Sequence, residues 1–350
     1  MVKSIKELAW DVSEEEYRAD PAISYSTLSR FEREGWRELP HLFEKQDSPS
    51  LLFGSIVDCL LTDGEEAFEE RFLVAEFPDI PDSIIKIVKY LFDMYKEEYR
   101  SLQDVPDGVI LTAASMFNYQ SNWRPETRVK VIKEKGDQYY NLMHLSANKV
   151  IVSQDDYNDA LACVRELRAN IITEQYFRES TIREIEHAYQ LKFKTGKATS
   201  WMLDDGVRCM FDILAVDHTN KRIYPIDLKT TGHPEENFES SFAKWRYDIQ
   251  AKLYTFILAD CIYRDPYFRE FTIEDYLFIT INRRTLSPMI WVFNHNKESG
   301  NLQDEKGNIL RDWRDIYQDL VWYLMHPHIK YKREVYEEGY VMTISNLKSI

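Results

Sequence analysis

Two aspartates and a lysine, Asp212, Asp227 and Lys229, have the types and spacing from which hydrolytic chemistry can be built. Residues 207–216 read as a strand, 217–221 as a turn and 222–230 as a second strand. With the turn centred between Thr219 and Asn220, Asp212 falls directly opposite Asp227, where Cβ atoms lie about 4.5–5.5 Å apart. Lys229 is two residues further along on the same face, because strand side chains alternate. Phe211, Ile213, Ala215, Tyr224, Ile226 and Leu228 take the other face, which is expected to be core. Facing carboxylates repel unless a cation or hydrogen bonds compensate, and a divalent metal is such a cation. Mg²⁺ and Mn²⁺ take hard oxygen ligands, and Mg²⁺ uses one or two carboxylates with several waters. Lys229 cannot bind a metal, but it can position an attacking water or stabilise charge on a phosphoryl oxygen.

The elements that must position these groups are legible around them. A strand from about Thr181 to Thr195 precedes the hairpin, with Ile185, His187, Tyr189, Leu191 and Phe193 on one side. A helix over 238–262 follows, with Tyr247, Gln250 and Tyr254 on one face and Ile249, Leu253, Phe256 and Ile257 as its apolar stripe. Gln250 and Tyr254 either support the site or pack as ordinary surface. Strands over 276–282 and 288–294 and a helix over 312–325 complete the C-terminal half. Residues 1–75 read as mainly helical, with Ser24 or Ser26 as a cap. Pro78 and Pro81 mark a linker, 83–103 a long amphipathic helix, and 153–178 another helix opened by Ser153. The order predicts an α/β (α+β) fold with a mixed central sheet flanked by helices. A helical portion over 1–180 would join a core over 181–350 in one continuous domain.

Length and composition fit a globular protein: 350 residues, 44% hydrophobic and 29% charged. No apolar run approaches the roughly 20 residues of a membrane span, and residues 1–7 lack an apolar signal core, so a cytoplasmic location without membrane contact is expected. Cys59, Cys163, Cys209 and Cys261 are scattered and read as reduced; no His/Cys grouping has zinc spacing. The net charge of −15 argues against passive nucleic-acid binding but not against a local basic groove. One basic stretch stands out between Asn118 and Asn141: Arg124, Arg128, Lys130, Lys133 and Lys135 among Tyr119, Trp123, Tyr139 and Tyr140. It is either a phosphate-contacting surface or a solvated helix face with packed aromatics. His187 reads as packed core and His326 and His328 as surface. No Gly-rich phosphate loop is present.

Asp212, then Asp227-Leu228-Lys229, then Gln250-Ala-Lys-Leu-Tyr254 resembles the signature of the PD-(D/E)xK nuclease superfamily. It is most similar to the exonuclease VIII-like recombination exonucleases of phages and prophages. The segments Asp227-Leu-Lys-Thr-Thr231, Phe242-Ala-Lys-Trp-Arg-Tyr-Asp-Ile-Gln250 and Ile23-Ser-Tyr-Ser-Thr-Leu28 share the likeness. It is good over 181–260, fair over 20–75, and poor over 80–150 and beyond 295. The resemblance implies Mg²⁺ or Mn²⁺ held by Asp212, Asp227 and the Leu228 carbonyl. It also implies that Lys229 acts on the nucleophilic water, with Gln250 and Tyr254 supporting the site. Thr230, Thr231, Lys244 and Arg246 join Arg124, Arg128, Lys130 and Lys133 as DNA-contact candidates. Glu186 sits where such enzymes often carry a further acid; otherwise it is an exposed strand carboxylate. Many relatives have Gly-x-x-x-His in the early helix with the His on the metal, whereas this chain has Gly54-Ser-Ile-Val-Asp58. Asp58 can serve as a hard oxygen ligand or be an exposed helix carboxylate.

What the likeness implies is an exodeoxyribonuclease resecting linear double-stranded DNA from its ends, 5′ to 3′, as a ring-shaped homo-oligomer. A single-strand annealing protein or recombinase would take the product. Two alternatives stand beside it. One is another nuclease of the superfamily, endonucleolytic or CRISPR-adaptation-type, although an iron–sulfur cluster does not suit the scattered cysteines. The other is a non-catalytic recombination accessory protein on the same fold.

Overall fold

The computed structural model describes residues 2–44, 48–76, 80–146, 149–177, 185–295, 302–303 and 307–340. The chain divides into two compact units, one from Met1–Asp58 with Cys163–Ile350, the other Cys59–Ala162. This differs from a helical 1–180 joined to a 181–350 core. The first 58 residues belong with the C-terminal sheet, and the second unit is an insertion into that body.

Among the described residues the strands are β1 (Phe72–Val74), β2 (Val150–Val152), β3 (Ile185–Thr195), β4 (Val207–Asp217), β5 (Arg222–Thr231), β6 (Thr272–Ile273), β7 (Tyr276–Asn282) and β8 (Met289–Phe293). In the first unit they form one mixed sheet in the order β3-β4-β5-β7-β8, with β6 beside β5. β3, β4 and β5 are antiparallel neighbours, whereas β5 and β7 are parallel. A parallel neighbour requires a crossover. The helices Phe238–Trp245 and Tyr247–Arg264 lie in that connection. Ile249, Leu253 and Ile257 from the second helix share one core with Phe193, Phe211 and Phe278 of the sheet. On the opposite face of β5 lies the helix Pro49–Asp58, where a Cβ on Gly54 would be 3.3 Å from Thr230 Oγ1. Asp227 and Lys229 alternate with Thr230 and so face the other way, where Gln250 and Tyr247 of the second helix meet them, and the expectation that core and charges occupy separate faces is corrected.

The expected alternation also fails at one point. Pairing runs from Tyr189↔Ile213 to Leu191↔Phe211, and between them Gln190 adopts φ 52°. Left-handed backbone inside a strand acts as a bulge does, turning the following side chains to the other face. Ala188, Leu191 and Phe193 are buried while His187 and Tyr189 are half-buried. Likewise Phe211 joins the core that holds Leu214 and Val216, and Ile213 and Ala215 are buried outside it.

The predicted single helix over 238–262 is two helices, broken at Arg246 with φ 59°. The helix over 153–178 is Gln154–Ala169 and then Glu174–Phe177; Thr181 and Pro78 lie outside the described residues. Pro81 caps Asp82–Tyr95, shorter than the expected 83–103. The closing helix, Trp313–Met325, starts as expected, with the Asp312 side chain accepting from the Arg314 amide. Ser24 holds the cap position of Tyr25–Glu34, but its hydroxyl bonds Ser26 and Thr27 side chains instead of the backbone.

The second unit packs Asp82–Tyr95, Asp107–Met116 and Pro125–Leu145 around Ile84, Val88, Leu91, Ile110, Ile132 and Tyr140. Gly136 permits this approach, since a Cβ there would meet Val88 Cγ2 at 2.6 Å. β1 and β2 pair in parallel beside these helices. None of the four cysteines is in a disulfide. No helix among the described residues is long and apolar enough to cross a membrane.

Candidate active site

The hairpin register is the one the turn predicts: Ala215↔Tyr224, Leu214↔Pro225 and Ile213↔Ile226. The β4–β5 ladder ends there, and Asp212 and Asp227 are the next residues on either strand. β5 continues beside β7 as far as Thr231↔Asn282. In the gap left by β4, the Asp212 carboxylate accepts the Leu228 N–H at 2.8 Å. A strand residue's N–H and C=O point the same way. The Leu228 carbonyl is therefore on the Asp212 side, as a metal ligand at that position requires.

Asp227 is 1% exposed. Its carboxylate pairs with the Lys229 ammonium and accepts from Gln250 Nε2, so the helix across the sheet reaches the strand as expected. Gln250 is buried as well, which rules out the surface-packing alternative for it. The Lys229 Nζ lies 4.6 Å from the centre of the Tyr247 ring. Tyr254 packs its ring edge-on to Phe211 at 5.3 Å and sits behind the carboxylates, whose charges add to burial in raising its phenol pKa.

Asp212 is electrostatically the least comfortable group. Burial raises its pKa well above the usual carboxylate range, Asp227 and Asp58 push it further, and Lys229 and the Leu228 amide only partly oppose them. For Lys229 burial works against the charge, but Asp227, Tyr247 and Asp212 outweigh it and hold the amine above its ordinary pKa. It is a fixed ammonium here, suited to stabilising negative charge.

Asp58 ends the helix Pro49–Asp58 and is half-buried, within electrostatic reach of Asp212. Among the described residues no three His, Cys, Asp or Glu side chains are gathered as a ready cage for an ion. The donor chemistry nevertheless fits Mg²⁺ or Mn²⁺: a buried carboxylate and a half-buried one with a third nearby, and a strand carbonyl on their side.

Glu186 is a correction. It pairs opposite Val216, four residues from Asp212 along β4, or about 13 Å at 3.3 Å per residue. Its carboxylate is buried and accepts from Ser4 Oγ, from the Ile5 amide at 3.1 Å and from His218 Nε2 at 2.9 Å. It ties the N-terminal segment to the sheet. Sequence reasoning missed His218, whose partners come from segments far apart in the chain.

The DNA-contact candidates fall into four groups. Arg246 is 4% exposed and committed to Asp248, Glu32 and the Arg311 carbonyl. Thr231 bonds His233, and Thr230 faces Gly54. Lys244 is exposed and lies over the Trp245 ring. The remaining four belong to the second unit. There Arg128 is buried against Leu111 and Ser115, Lys133 pairs with Asp107 at 3.0 Å, Lys130 is 3.7 Å from Glu134, and Arg124 is exposed at a helix start. Arg128 and Lys133 are thus neither a free phosphate-contacting surface nor a fully solvated face, but are engaged within that unit.

Scanned against models of known protein families, the sequence matches none, and no curated protein is similar enough to count as a match.

Proposed function

We propose that the chain is a Mg²⁺- or Mn²⁺-dependent exodeoxyribonuclease on a PD-(D/E)xK core, resecting linear duplex DNA from its ends. The observation that carries this reading is the convergence of Asp212, Asp227, Lys229 and Gln250 at the point where β4 and β5 part. Neighbouring like charges, one buried and one half-buried, are costly without chemistry to serve, and no ordinary packing need is met by placing them there. Asp212 and Asp227 would hold the metal, with Asp58 and the Leu228 carbonyl as further oxygens. A bound divalent ion supplies Lewis-acid activation of water and of the scissile phosphate. Lys229, held protonated, stabilises the charge that builds on the phosphoryl oxygen and orients the attacking water. Gln250 fixes the rotamer of Asp227, and Tyr254 closes the apolar floor.

A homo-oligomeric ring with basic groups turned inward would reconcile DNA handling with a net charge of −15. An annealing protein or recombinase would receive the exposed strand. The test uses duplex DNA labelled at the 5′ or 3′ end, beside a covalently closed circle, with Mg²⁺ or Mn²⁺. Loss of linear DNA with circles spared is expected, and the label released first gives the polarity. Cutting of the circle would make the enzyme an endonuclease, and absence of cleavage would leave a binding protein.

A further inference from the structure

Trp245 ends the Phe238–Trp245 helix and keeps 40% of its surface exposed. Two cations lie over its indole, Arg33 with Cζ 5.0 Å and Lys244 with Nζ 5.0 Å from the ring centre. Both are exposed, and neither has an acidic partner among the described residues. Both are therefore available to an anion from outside the chain. The indole is also rigidly mounted. Tyr25 donates its hydroxyl to the Trp245 carbonyl at 2.7 Å, and Arg246, the next residue, is anchored to Asp248 and to Glu32 on the helix that carries Arg33. The group adjoins the carboxylate site: the Tyr25 ring lies 6.2 Å from that of Tyr247, over which Lys229 sits.

We propose that Trp245, Arg33 and Lys244 form a platform for single-stranded nucleic acid, with one base stacked on the indole and the flanking phosphates on the two cations. The choice of occupant rests on the nuclease reading. An unpaired base has a free face to offer an indole, whereas a duplex buries its base faces. Stacking of a base on an aromatic side chain contributes about 1–3 kcal/mol. An exposed cation–π contact contributes about 0.5–1 kcal/mol. A base therefore displaces the flexible Lys244 ammonium, which turns to a phosphate. On this account the strand being cut is held, unpaired, beside Lys229.

The experiment is fluorescence anisotropy in EDTA, so that nothing is cleaved, with a labelled oligothymidine and a labelled blunt duplex over a KCl series. Trp245→Ala is expected to weaken oligothymidine binding by about 5- to 150-fold, the equivalent of 1–3 kcal/mol, and duplex binding by less than about twofold. Trp245→Phe should retain most of the affinity. Arg33→Ala with Lys244→Ala should reduce the slope of log affinity against log salt by about 1.4, at 0.7 per phosphate contact on a single strand. Wild-type binding by Trp245→Ala, or equal losses on both DNAs, overturns the platform. If Trp245→Ala fails to fold, an unchanged salt slope in the double variant overturns it instead. Trp245-dependent binding by a protein that never cuts DNA would keep the platform and sink the nuclease reading; cleavage with Trp245-independent binding would do the reverse.

Discussion

Two pairs of carboxylates at one sheet are provided for in two different ways. Glu186 receives three hydrogen bonds, from Ser4, Ile5 and His218. Glu235 receives three as well, from the Asn282 amide at 2.9 Å, the Ser287 amide at 3.1 Å and Thr285 Oγ1 at 2.6 Å. Both are saturated, and both join segments distant in sequence. Asp212 has one backbone amide, and Asp227 has one amide side chain and one shared ammonium; beside them stands a third acid. A buried carboxylate satisfied by fixed donors is structural glue, whereas adjacent acids left short of positive charge are where the proposed cation would sit.

The largest expected effect breaks this comparison outright. Lys229→Ala and Asp227→Asn should each lower metal-dependent cleavage by at least about 10²- to 10³-fold, the scale of losing one charge-stabilising group. Glu186→Gln should cleave within about twofold of wild type per folded molecule, read by single-turnover rates on linear duplex. Equal losses at both sites would erase the distinction drawn between them.

Stability should divide the other way. Removing the acceptor in Glu186→Ala leaves buried donors unsatisfied, at about 1–3 kcal/mol each. Urea unfolding should therefore show a loss on the order of 3 kcal/mol, and Glu235→Ala a comparable one. Asp212→Asn in EDTA should instead unfold at a denaturant concentration equal to or higher than wild type.

Metal should sharpen the contrast. Mn²⁺ at 100 times its dissociation constant stabilises by about 2.7 kcal/mol. A thermal-shift titration should show that gain in wild type and in Glu186→Gln, and little of it in Asp212→Asn or Asp227→Asn.

The smallest effect is a slope with pH. The folded pKa of Asp212 is raised above its unfolded value near 3.9, so the folded state holds the proton more tightly. The contribution is full below that unfolded value and is lost as pH rises through the folded one. Metal-free wild type should thus lose stability from about pH 4 upward relative to Asp212→Asn, whose profile lacks this component. A rising difference over that range would mean that Asp212 is satisfied as an anion.

Much of the site was legible because it rests on local rules. Alternation and a five-residue turn sufficed to bring Asp212 beside Asp227, whereas helical spacing put Gln250 and Tyr254 on one face and only the resemblance tied that face to the site. What misled the sequence reading were contacts made by distant partners. The left-handed turn at Arg246 is held by the nearby Asp248 but also by Glu32 and the Arg311 carbonyl, which no local pattern announces. Glu186 was a possible ligand through the resemblance alone, and its partners Ser4 and His218 could not be foreseen from the strand pattern. Gln190 reset the alternation without a glycine or proline to announce it.

The sequence by itself determined the hairpin, its register and the identity of the charged trio, because side-chain period and turn position are set within about 25 residues. Only the tertiary structure decided which acids are saturated and which are not, that Asp58 stands near Asp212, and that residues 59–162 are a unit of their own. The reason is physical: a carboxylate's partners and burial belong to whatever the fold brings around it, and no period along the chain records them.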